Sequence, residues 1–363
     1  SIVLCAALVL ILMPATALAV ENIGAWRGDW ETIGGLSNGF LFPAKGVATD
    51  SAGNVYAADP YSHRVRKMTA ATGQWQILPT DDGPFGAGDY PWGVAVDSND
   101  NVYVLNSINA NGTNGVWKYA GGAWTDITHG APFGQPQGIA VDRNGNVYVA
   151  NTGLHTIVKL PSGSSAWTTI GDETFDYGVT FNEPIGIATD QNNNVYVTDK
   201  DASGRGHVYR LLNGSGNWTT PYSADNLRGV AADPSGNIYV LEGTIIRMWP
   251  GSSITNDFYT IKANPAFSNP YGLAVGSDGR VYVTSQDDDS RGLISGHQGW
   301  ATQLEWGTQP VGGASGQSFT SQPVLRLLDA AGNLMTGFSG DTVTISLNAT
   351  NGATLGGTAT AML

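Results

Sequence analysis

The residues of this 363-residue chain that best suit acid–base or zinc chemistry are its five histidines, His63, His129, His155, His207 and His297. A zinc centre needs several ligands that converge on one point. His63 and His155, however, follow Tyr56 and Tyr148 at the same offset, which indicates a repeated packing or turn position. No Ser-His-Asp order, phosphate-binding glycine loop or paired-carboxylate motif stands out, so no catalytic residue is predicted.

A second group of chemically useful residues is the acidic stretch DKDASG, residues 199–204. It begins like a calcium loop, with oxygen-bearing side chains at alternate positions, Asp199 and Asp201. The terminal glutamate of such a loop is missing, and Arg210 stands in its place. Residues 287–289 form a further acidic loop, of three aspartates. We favour solvated loops at both places, with a weak calcium site at Asp199 and Asp201 as the alternative and no other cofactor.

The composition limits the partners of the chain. Its formal net charge is −13, only 13% of its residues are charged, and it contains 49 glycines. Nucleic acid and anionic membrane surfaces attract clustered Lys and Arg, so neither is an expected partner. Few charges with many Gly and aromatic residues favour an all-β extracellular protein.

The first residues predict export. Residues 2–13 form a short apolar run, and Ala17-Leu18-Ala19 provides the small-x-small pattern of a signal-peptidase site. We interpret residues 1–19 as part of a signal peptide and residues 20–27 as a linker. The run is too short for an ordinary membrane span. Cys5, the only cysteine, would leave with the peptide, so the mature protein is expected to be extracellular or at the cell surface, with no membrane insertion.

The middle of the chain consists of six copies of one phrase, of which QGIAVDRNGNVYVAN, residues 137–151, is typical. Its aligned tyrosines lie 43 to 48 residues apart and are Tyr56, Tyr103, Tyr148, Tyr196, Tyr239 and Tyr282. Such a period belongs to propeller blades or helical arrays. Alternating β-branched and aromatic residues, interrupted by Gly, Asn and Asp, favour strands.

Each unit is predicted to hold four antiparallel strands, which gives a six-bladed β-propeller. The Asp of each turn, such as Asp142, is expected to bond the loop backbone. The sixth unit lacks a fourth strand, whereas GDWETIGG, residues 28–35, is a fourth strand without a unit. We therefore expect this N-terminal strand to close the last blade of a propeller spanning residues 28–299, because closure protects open sheet edges.

The repeated phrase, followed by H-x-[IV]-x-[KR]-[LM], resembles the NHL repeat, and residues 142–160, DRNGNVYVANTGLHTIVKL, are its clearest copy. The resemblance implies a six-bladed propeller. NHL propellers serve as protein-binding modules, RNA-binding modules, sensor domains of bacterial kinases and, in a few cases, lyases, so the resemblance leaves the function open. The set of His, Tyr and Arg that such lyases need at fixed blades is not recognisable here.

Residues 301–363 have a different character, with alternating apolar and polar positions and turns at DAAGN and FSGD. This pattern predicts an all-β sandwich. Through SQPVLRLLDAAGN, DTVTISL and GATLGGT it resembles the bacterial immunoglobulin-like domains of surface proteins. The segment is shorter than a complete sandwich, so we expect a partial, C-terminally truncated domain.

Two positions of the repeat change their residue type from blade to blade. The position before the blade glycine holds Lys45, Trp92, Gln137, Ile185, Arg228 and Tyr271. The position three residues after the blade tyrosine holds Asp59, Asn106, Asn151, Asp199, Glu242 and Ser285. We interpret them as a mixed ring around the axis on one face of the propeller, where aromatic and polar groups could bind a sugar or peptide.

The sequence therefore favours binding over catalysis. We expect a monomeric propeller whose loop face binds a protein or glycan partner. The predicted contacts are Trp92, Asn106, Asn151, Asp199, Arg228, Glu242 and Tyr271. One alternative is a metal-dependent lyase or lactonase that acts at the axial pocket. Another is a purely structural spacer in a larger adhesin.

Overall fold

The structure is a computed structural model. It describes residues 2–3, 30–39, 43–78, 84–85, 88–107, 114–131, 133–174, 178–249, 259–261, 268–286, 292–297, 303–308, 324–328, 342–344 and 360–362. The chain divides into two compact units. One consists of Trp30–His297, and the other consists of Ser1–Asp29 together with Gln298–Leu363.

The unit Trp30–His297 contains six four-stranded antiparallel sheets. The first strand of the chain, β1 (Ile2–Val3), belongs to the other unit, and β2 (Glu31–Gly34) opens this one. Blade 1 consists of β3 (Val47–Thr49), β4 (Val55–Asp59), β5 (Arg64–Thr69) and β6 (Gln74–Ile77). Blade 2 consists of β7 (Pro91–Val96), β8 (Val102–Asn106), β9 (Gly115–Ala120) and β10 (Ala123–Asp126). Blade 3 consists of β11 (Gly138–Val141), β12 (Val147–Asn151), β13 (Thr156–Leu160) and β14 (Thr168–Gly171).

Blades 4 to 6 repeat this order. Blade 4 consists of β15 (Pro184–Thr189), β16 (Val195–Lys200), β17 (Gly206–Leu211) and β18 (Trp218–Ala224). Blade 5 consists of β19 (Leu227–Ala232), β20 (Ile238–Glu242), β21 (Ile245–Trp249) and β22 (Tyr259–Ile261). Blade 6 consists of β23 (Leu273–Val275), β24 (Val281–Gln286), β25 (Gly292–His297) and β2. Among the described residues, 3₁₀ helices span Leu36–Asn38, Pro60–Ser62 and Thr152–Leu154.

One register holds throughout the propeller. The blade tyrosine of the second strand lies opposite an alanine of the first strand in all six blades. The pairs are Tyr56 and Ala48, Tyr103 and Ala95, Tyr148 and Ala140, Tyr196 and Ala188, Tyr239 and Ala231, and Tyr282 and Ala274. A one-residue slip would exchange the two faces of a strand, so this shared register aligns the blades around the axis.

The N-terminal strand closes the ring as the sequence predicts. Strand β2 pairs antiparallel with β25, with Glu31 opposite Gly296 and Thr32 opposite Ser295. It also contacts blade 1, because the indole N–H of Trp75 donates to the Ile33 carbonyl oxygen at 2.6 Å. The all-β, six-bladed propeller with an N-terminal closing strand is therefore confirmed.

The core lies between neighbouring blades. One cluster combines Ala140 and Tyr148 of blade 3 with Val197 and Trp218 of blade 4. Outer-strand tryptophans connect the same blades, as in blade 4, where the Trp218 indole N–H donates to the Ile170 carbonyl oxygen at 2.6 Å. Trp75 plays the same role towards the closing strand. Each blade therefore depends on its neighbour for burial, as in other repeat proteins.

The second unit is described only as short strands: β26 (Gln303–Thr308), β27 (Val324–Leu328), β28 (Thr342–Thr344) and β29 (Thr360–Met362). Strand β27 pairs with both β1 and β26, and β28 pairs with β29. The immunoglobulin-like domain remains a prediction, as does the signal peptide, of which the structure describes two residues. The linker at 20–27 lies outside the described residues. In the part of the chain that the structure describes, no helix has the length and hydrophobicity to cross a membrane.

Candidate functional site

The residues before the six blade glycines converge on a pocket at one end of the propeller axis. We call them the axial ring, and the pocket the upper mouth. The ring consists of Lys45, Trp92, Gln137, Ile185, Arg228 and Tyr271. The cavity volume is about 110 Å³, and its wall is completed by the glycine and the next residue of each blade. The predicted residues Trp92, Arg228 and Tyr271 are thus brought together, and Lys45, Gln137 and Ile185 complete the set.

The blade glycines make this convergence sterically feasible. A Cβ atom on Gly186 would lie 2.5 Å from the Arg228 carbonyl oxygen of the next blade. On Gly46 it would lie 2.7 Å from the Val94 backbone nitrogen. Neither distance leaves room for a side chain, so glycine is needed here for close approach of neighbouring innermost strands. The repeat thereby sets the narrow diameter of the upper mouth.

Two cations and two aromatic rings occupy the upper mouth. The Lys45 ammonium lies 3.1 Å from the centre of the Tyr271 ring and 5.2 Å from that of Trp92. The Arg228 guanidinium lies 5.3 Å from the centre of the same Tyr271 ring. Aromatic faces attract cations, with most effect where water is excluded. Lys45 is 7% exposed, so aromatic faces, and little water, surround its ammonium group.

The electrostatics of the upper mouth are unfavourable for these cations in the free protein. Burial, and then the neighbouring Arg228 charge, lower the pKa of Lys45 to about 8. Desolvation and like charge both disfavour the protonated amine. No acidic residue lines the described wall of the pocket, so the wall supplies no carboxylate to offset them. The arrangement suits an anionic group from outside.

The other four predicted contacts lie elsewhere. Asn106, Asn151, Asp199 and Glu242 do not line the upper mouth. Asn106 accepts from the Tyr90 backbone N–H at 2.7 Å and Asn151 from that of Gly134 at 2.7 Å. These donors belong to the loop that leads into the first strand of the same blade. These four residues are therefore not brought to the upper mouth, and the side chains of Asn106 and Asn151 fasten that loop. Their contact with a partner remains a prediction.

Asp199 repeats this use of the position, whereas Glu242 bonds side chains. One Asp199 carboxyl oxygen accepts from the backbone N–H groups of Asn182 and Glu183, both at 3.0 Å, in the loop leading into blade 4. Glu242 accepts from the Tyr222 hydroxyl at 2.9 Å and pairs with Arg247. Acid and amide oxygens accept equally well. Variation between Asn and Asp in blades 2 to 4 is thus compatible with one structural role, whereas Glu242 of blade 5 has a different one.

Asp199 is the most perturbed of these acids. Its side chain is 1% exposed, and its second carboxyl oxygen has no hydrogen-bond partner among the described residues. Burial raises the pKa of Asp199 to about 6, against the opposing effect of its two backbone donors. The equivalent asparagines of blades 2 and 3 avoid this cost, because an amide carries no charge.

The acidic stretch of blade 4 has protein partners. Asp201 accepts from the backbone N–H groups of Ser203 and Arg205, and its other oxygen lies 2.9 Å from His207 Nε2. These bonds, His207 first, lower the pKa of Asp201. Within the described residues no group of three or more His, Cys, Asp or Glu is placed to hold a metal ion. The acidic loop at 287–289 lies outside them, and calcium binding remains untested.

His63 and His155 occupy equivalent positions in the fold as well as in the repeat. Both adopt a left-handed backbone conformation, with φ of 57° and 55°, at the end of a 3₁₀ helix. Nδ1 of His63 bonds the Asp89 carbonyl oxygen, and Nδ1 of His155 bonds that of Asn182. Each carbonyl belongs to the loop leading into the next blade. Their interpretation as packing and turn residues agrees with this geometry.

The opposite end of the axis is built from the repeated turns, and we call it the lower mouth. It has a cavity volume of about 390 Å³. Its wall includes the aspartates Asp50, Asp97, Asp100, Asp142, Asp190 and Asp233. In blades 1 to 5 the turn aspartate accepts from the blade tyrosine hydroxyl at 2.9–3.1 Å. It also accepts from the side-chain amide of an asparagine at 2.7–2.8 Å. These five turn carboxylates are therefore bound within their own blades, whereas Asp100 of blade 2 bonds Ser51 of blade 1.

Comparison with known proteins places the fold. Residues 133–160 and 181–208, in blades 3 and 4, match the family model of the NHL repeat. No curated protein matches the chain in sequence.

Solved propellers are similar to it at low sequence identity. A gluconolactonase from Xanthomonas campestris is 14% identical, with a TM-score of 0.55 over 77% of this chain and 93% of that one. A streptogramin B lyase is 16% identical, with a TM-score of 0.51 over 74% and 97%. A chain of a nidogen/laminin complex is 16% identical, with a TM-score of 0.51 over 67% and 92%. Likeness at this level shows the fold alone.

Proposed function

We propose that the propeller is the binding module of a secreted or cell-surface protein, and that its upper mouth contacts a protein or glycan partner. The observation that carries this proposal is the convergence of six chemically different side chains on one axial pocket. The turns at the other end keep the same Asp, Asn and Tyr in five blades. Variation at the position that faces a pocket, beside turns that stay constant, is typical of a recognition surface.

The aromatic and cationic members of the ring are those that dominate binding energy in known interfaces. Trp, Tyr and Arg are enriched among residues whose truncation costs most affinity. Trp92, Tyr271 and Arg228 are all of these types and share one pocket. Under this proposal, binding follows from complementarity at this pocket, and no covalent bond is made or broken.

An array of proteins, peptides and glycans tests the proposal. Wild-type chain and the double variant Trp92→Ala/Tyr271→Ala are labelled and applied to the same array. We expect the double variant to lose the partner that the wild type binds, with a melting temperature within a few degrees of the wild type. Leu212→Ala is the matched control, because Leu212 is 43% exposed near the turns of the opposite face. Equal binding by the double variant would exclude the upper mouth.

The enzyme alternative, a metal-dependent lactonase or lyase at the axial pocket, draws on the gluconolactonase and lyase folds among the similar structures. The residues do not fit a metal there. The described wall contains no carboxylate, imidazole or thiol, whereas Lys45 and Arg228 would repel a cation. Elemental analysis of the purified protein separates the two functions. Stoichiometric zinc, or calcium that resists chelation, would favour the enzyme, and no ligand on any array would favour a spacer.

A further inference from the structure

The two cations of the upper mouth lack a counter-ion among the described residues. The ion pairs of the described residues, all of them away from the axial ring, join Arg66 to Asp59, Lys67 to Asp50, Lys200 to Glu183, His207 to Asp201, Arg247 to Glu242 and Arg280 to Asp278. Neither Lys45 nor Arg228 takes part. In a chain of net charge −13, two unpaired cations at one pocket are an unusual arrangement. Buried charges without partners are costly and are retained mainly at functional sites.

The fold holds the backbone of each of these two cations with a threonine. The Thr284 hydroxyl of blade 6 accepts from the Gly272 N–H at 2.8 Å and donates to the Lys45 carbonyl oxygen at 3.1 Å. The Thr198 hydroxyl of blade 4 accepts from the Gly186 N–H at 2.9 Å and donates to the Arg228 carbonyl oxygen.

The same position holds no threonine in the other four blades. Its residues there are Ala58, Leu105, Ala150 and Leu241. A hydroxyl therefore occurs only where the next residue around the ring is a cation. This second observation, independent of charge, indicates that Lys45 and Arg228 are held in place as a pair.

The size of the upper mouth limits what part of a partner can enter. Its volume of about 110 Å³ corresponds to about four water molecules, well below the roughly 300 Å³ at which pockets for whole small ligands begin. The Lys45 ammonium covers one face of the Tyr271 ring, which leaves less of this ring free for stacking of a sugar. The tip of a flexible chain fits both constraints. A carboxylate with its adjoining methylene is of this size, and its negative charge would offset the two cations.

We infer that the upper mouth binds a carboxylate at the tip of a flexible chain, namely an acidic side chain or the C-terminus of a protein partner. The inference rests on the proposed function and names the group that the axial ring recognises. The Arg228 guanidinium offers the planar donor pair that matches a carboxylate, and the Lys45 ammonium adds a point charge. Trp92 and Ile185 provide apolar wall for the methylene groups.

A library of synthetic peptides with free C-termini, screened against the purified full chain, tests the inference. We expect the enriched peptides to share one carboxylate, either a Glu or Asp side chain or the terminus. Replacing that carboxylate by its amide should weaken binding at least tenfold. Lys45→Met and Arg228→Met should each cause a loss of similar size. Lys159→Met is the control, because Lys159 also lies over a tyrosine, 5.4 Å from the centre of the Tyr148 ring, but far from the upper mouth.

A pH titration gives a second readout that needs no variant. The groups facing Lys45 are the Arg228 guanidinium and the Tyr271 and Trp92 rings. Because the pKa of Lys45 is about 8, wild-type affinity for the enriched peptide should fall as the pH rises through 8. An affinity that stays constant between pH 7 and 9 would overturn the inference.

Other outcomes separate this inference from the proposed function. Peptides that bind equally well after amidation of the carboxylate would overturn the carboxylate-tip assignment. The acidic sugar trigalacturonate is tested in the same binding assay, and its preference over every peptide would also overturn the assignment. If Trp92→Ala/Tyr271→Ala abolishes binding while Lys45→Met and Arg228→Met leave it unchanged, the proposed function stands and this inference fails. If the wild type binds neither peptides nor sugars, both fail.

Discussion

The two ends of the propeller axis are formed by the same six innermost strands but use them differently. At the lower mouth, the turn aspartates bond the tyrosine and asparagine of their own blades, and blades 1 to 5 keep these residues. At the upper mouth, each ring residue differs from the next, and its side chain faces the pocket. The residues that the five turns keep are those whose partners lie inside their own blade. Residues whose partners lie outside the blade are free to diverge.

The largest expected effect comes from the glycines that both ends share. Gly186→Ala would place a Cβ atom 2.5 Å from the Arg228 carbonyl oxygen, so the two strands must separate. We expect a loss of about 3 kcal/mol in the free energy of unfolding, measured by urea denaturation. Gly216→Ala is the control, since no atom lies within 4 Å of the added carbon. A tolerated Gly186→Ala would mean that the innermost strands are less closely apposed than described.

The lower mouth should be sensitive to loss of a turn aspartate. Asp142→Ala removes the acceptor of the Tyr148 hydroxyl and of the Asn144 and Asn146 backbone N–H groups. The unsatisfied donors should cost about 2 to 3 kcal/mol, again from urea denaturation. Asp225→Ala, at an exposed position, should change stability by less than about 0.5 kcal/mol. If the two variants were equally stable, the turn aspartates would not be structural.

The contribution of Asp199 to the free energy of unfolding should depend on pH. Its pKa is about 6 in the folded protein and near 4 in an unfolded chain. The folded state therefore binds more protons between these values, and this residue's contribution to stability falls as the pH rises from 4 through 6. Asp199→Asn should flatten this part of the profile and raise stability at pH 7 by up to about 2 kcal/mol. A lower stability of the variant at pH 7 would show that the ionised form is favoured instead.

The remaining expected change in stability lies at the upper mouth. Lys45 has a pKa of about 8 in the folded protein against 10.5 for an ordinary lysine. The unfolded chain binds more protons between these values, so stability should rise with pH from 8 to 10.5. Lys45→Met should remove this rise and increase the melting temperature at pH 7 by a few degrees, as measured by calorimetry. This behaviour is expected of a residue that is required for binding but destabilises the free protein.

Much of the fold follows from the sequence because each blade repeats its own local signals. The phrase around Tyr148 specifies two strands and their turn, and the tyrosine spacing specifies the number of blades. The closing strand could also be predicted, since Glu31–Gly34 is a fourth strand that lacks three partners. The immunoglobulin-like domain and the signal peptide remain predictions from sequence.

The candidate site was predictable only in part. The variable position before each glycine correctly identified the set that meets at the axis, including Trp92 and Tyr271. The place of Asn106 and Asp199 was not predictable from variation between acid and amide, because an oxygen of either type accepts backbone bonds from the entry loop, and their contact with a partner remains a prediction. That Lys45 and Arg228 have no counter-ion among the described residues was not predictable, because it depends on which side chains from different blades meet across the axis.

The most direct test of this account is the pKa of the Lys45 ammonium, followed by NMR of isotope-labelled lysine side chains with and without an acidic peptide from the screen. The account predicts a pKa near 8 in the free protein and a rise towards that of an ordinary lysine when the carboxylate binds. A pKa that does not change on saturation with the peptide would contradict it, because the anion would then lie outside the upper mouth.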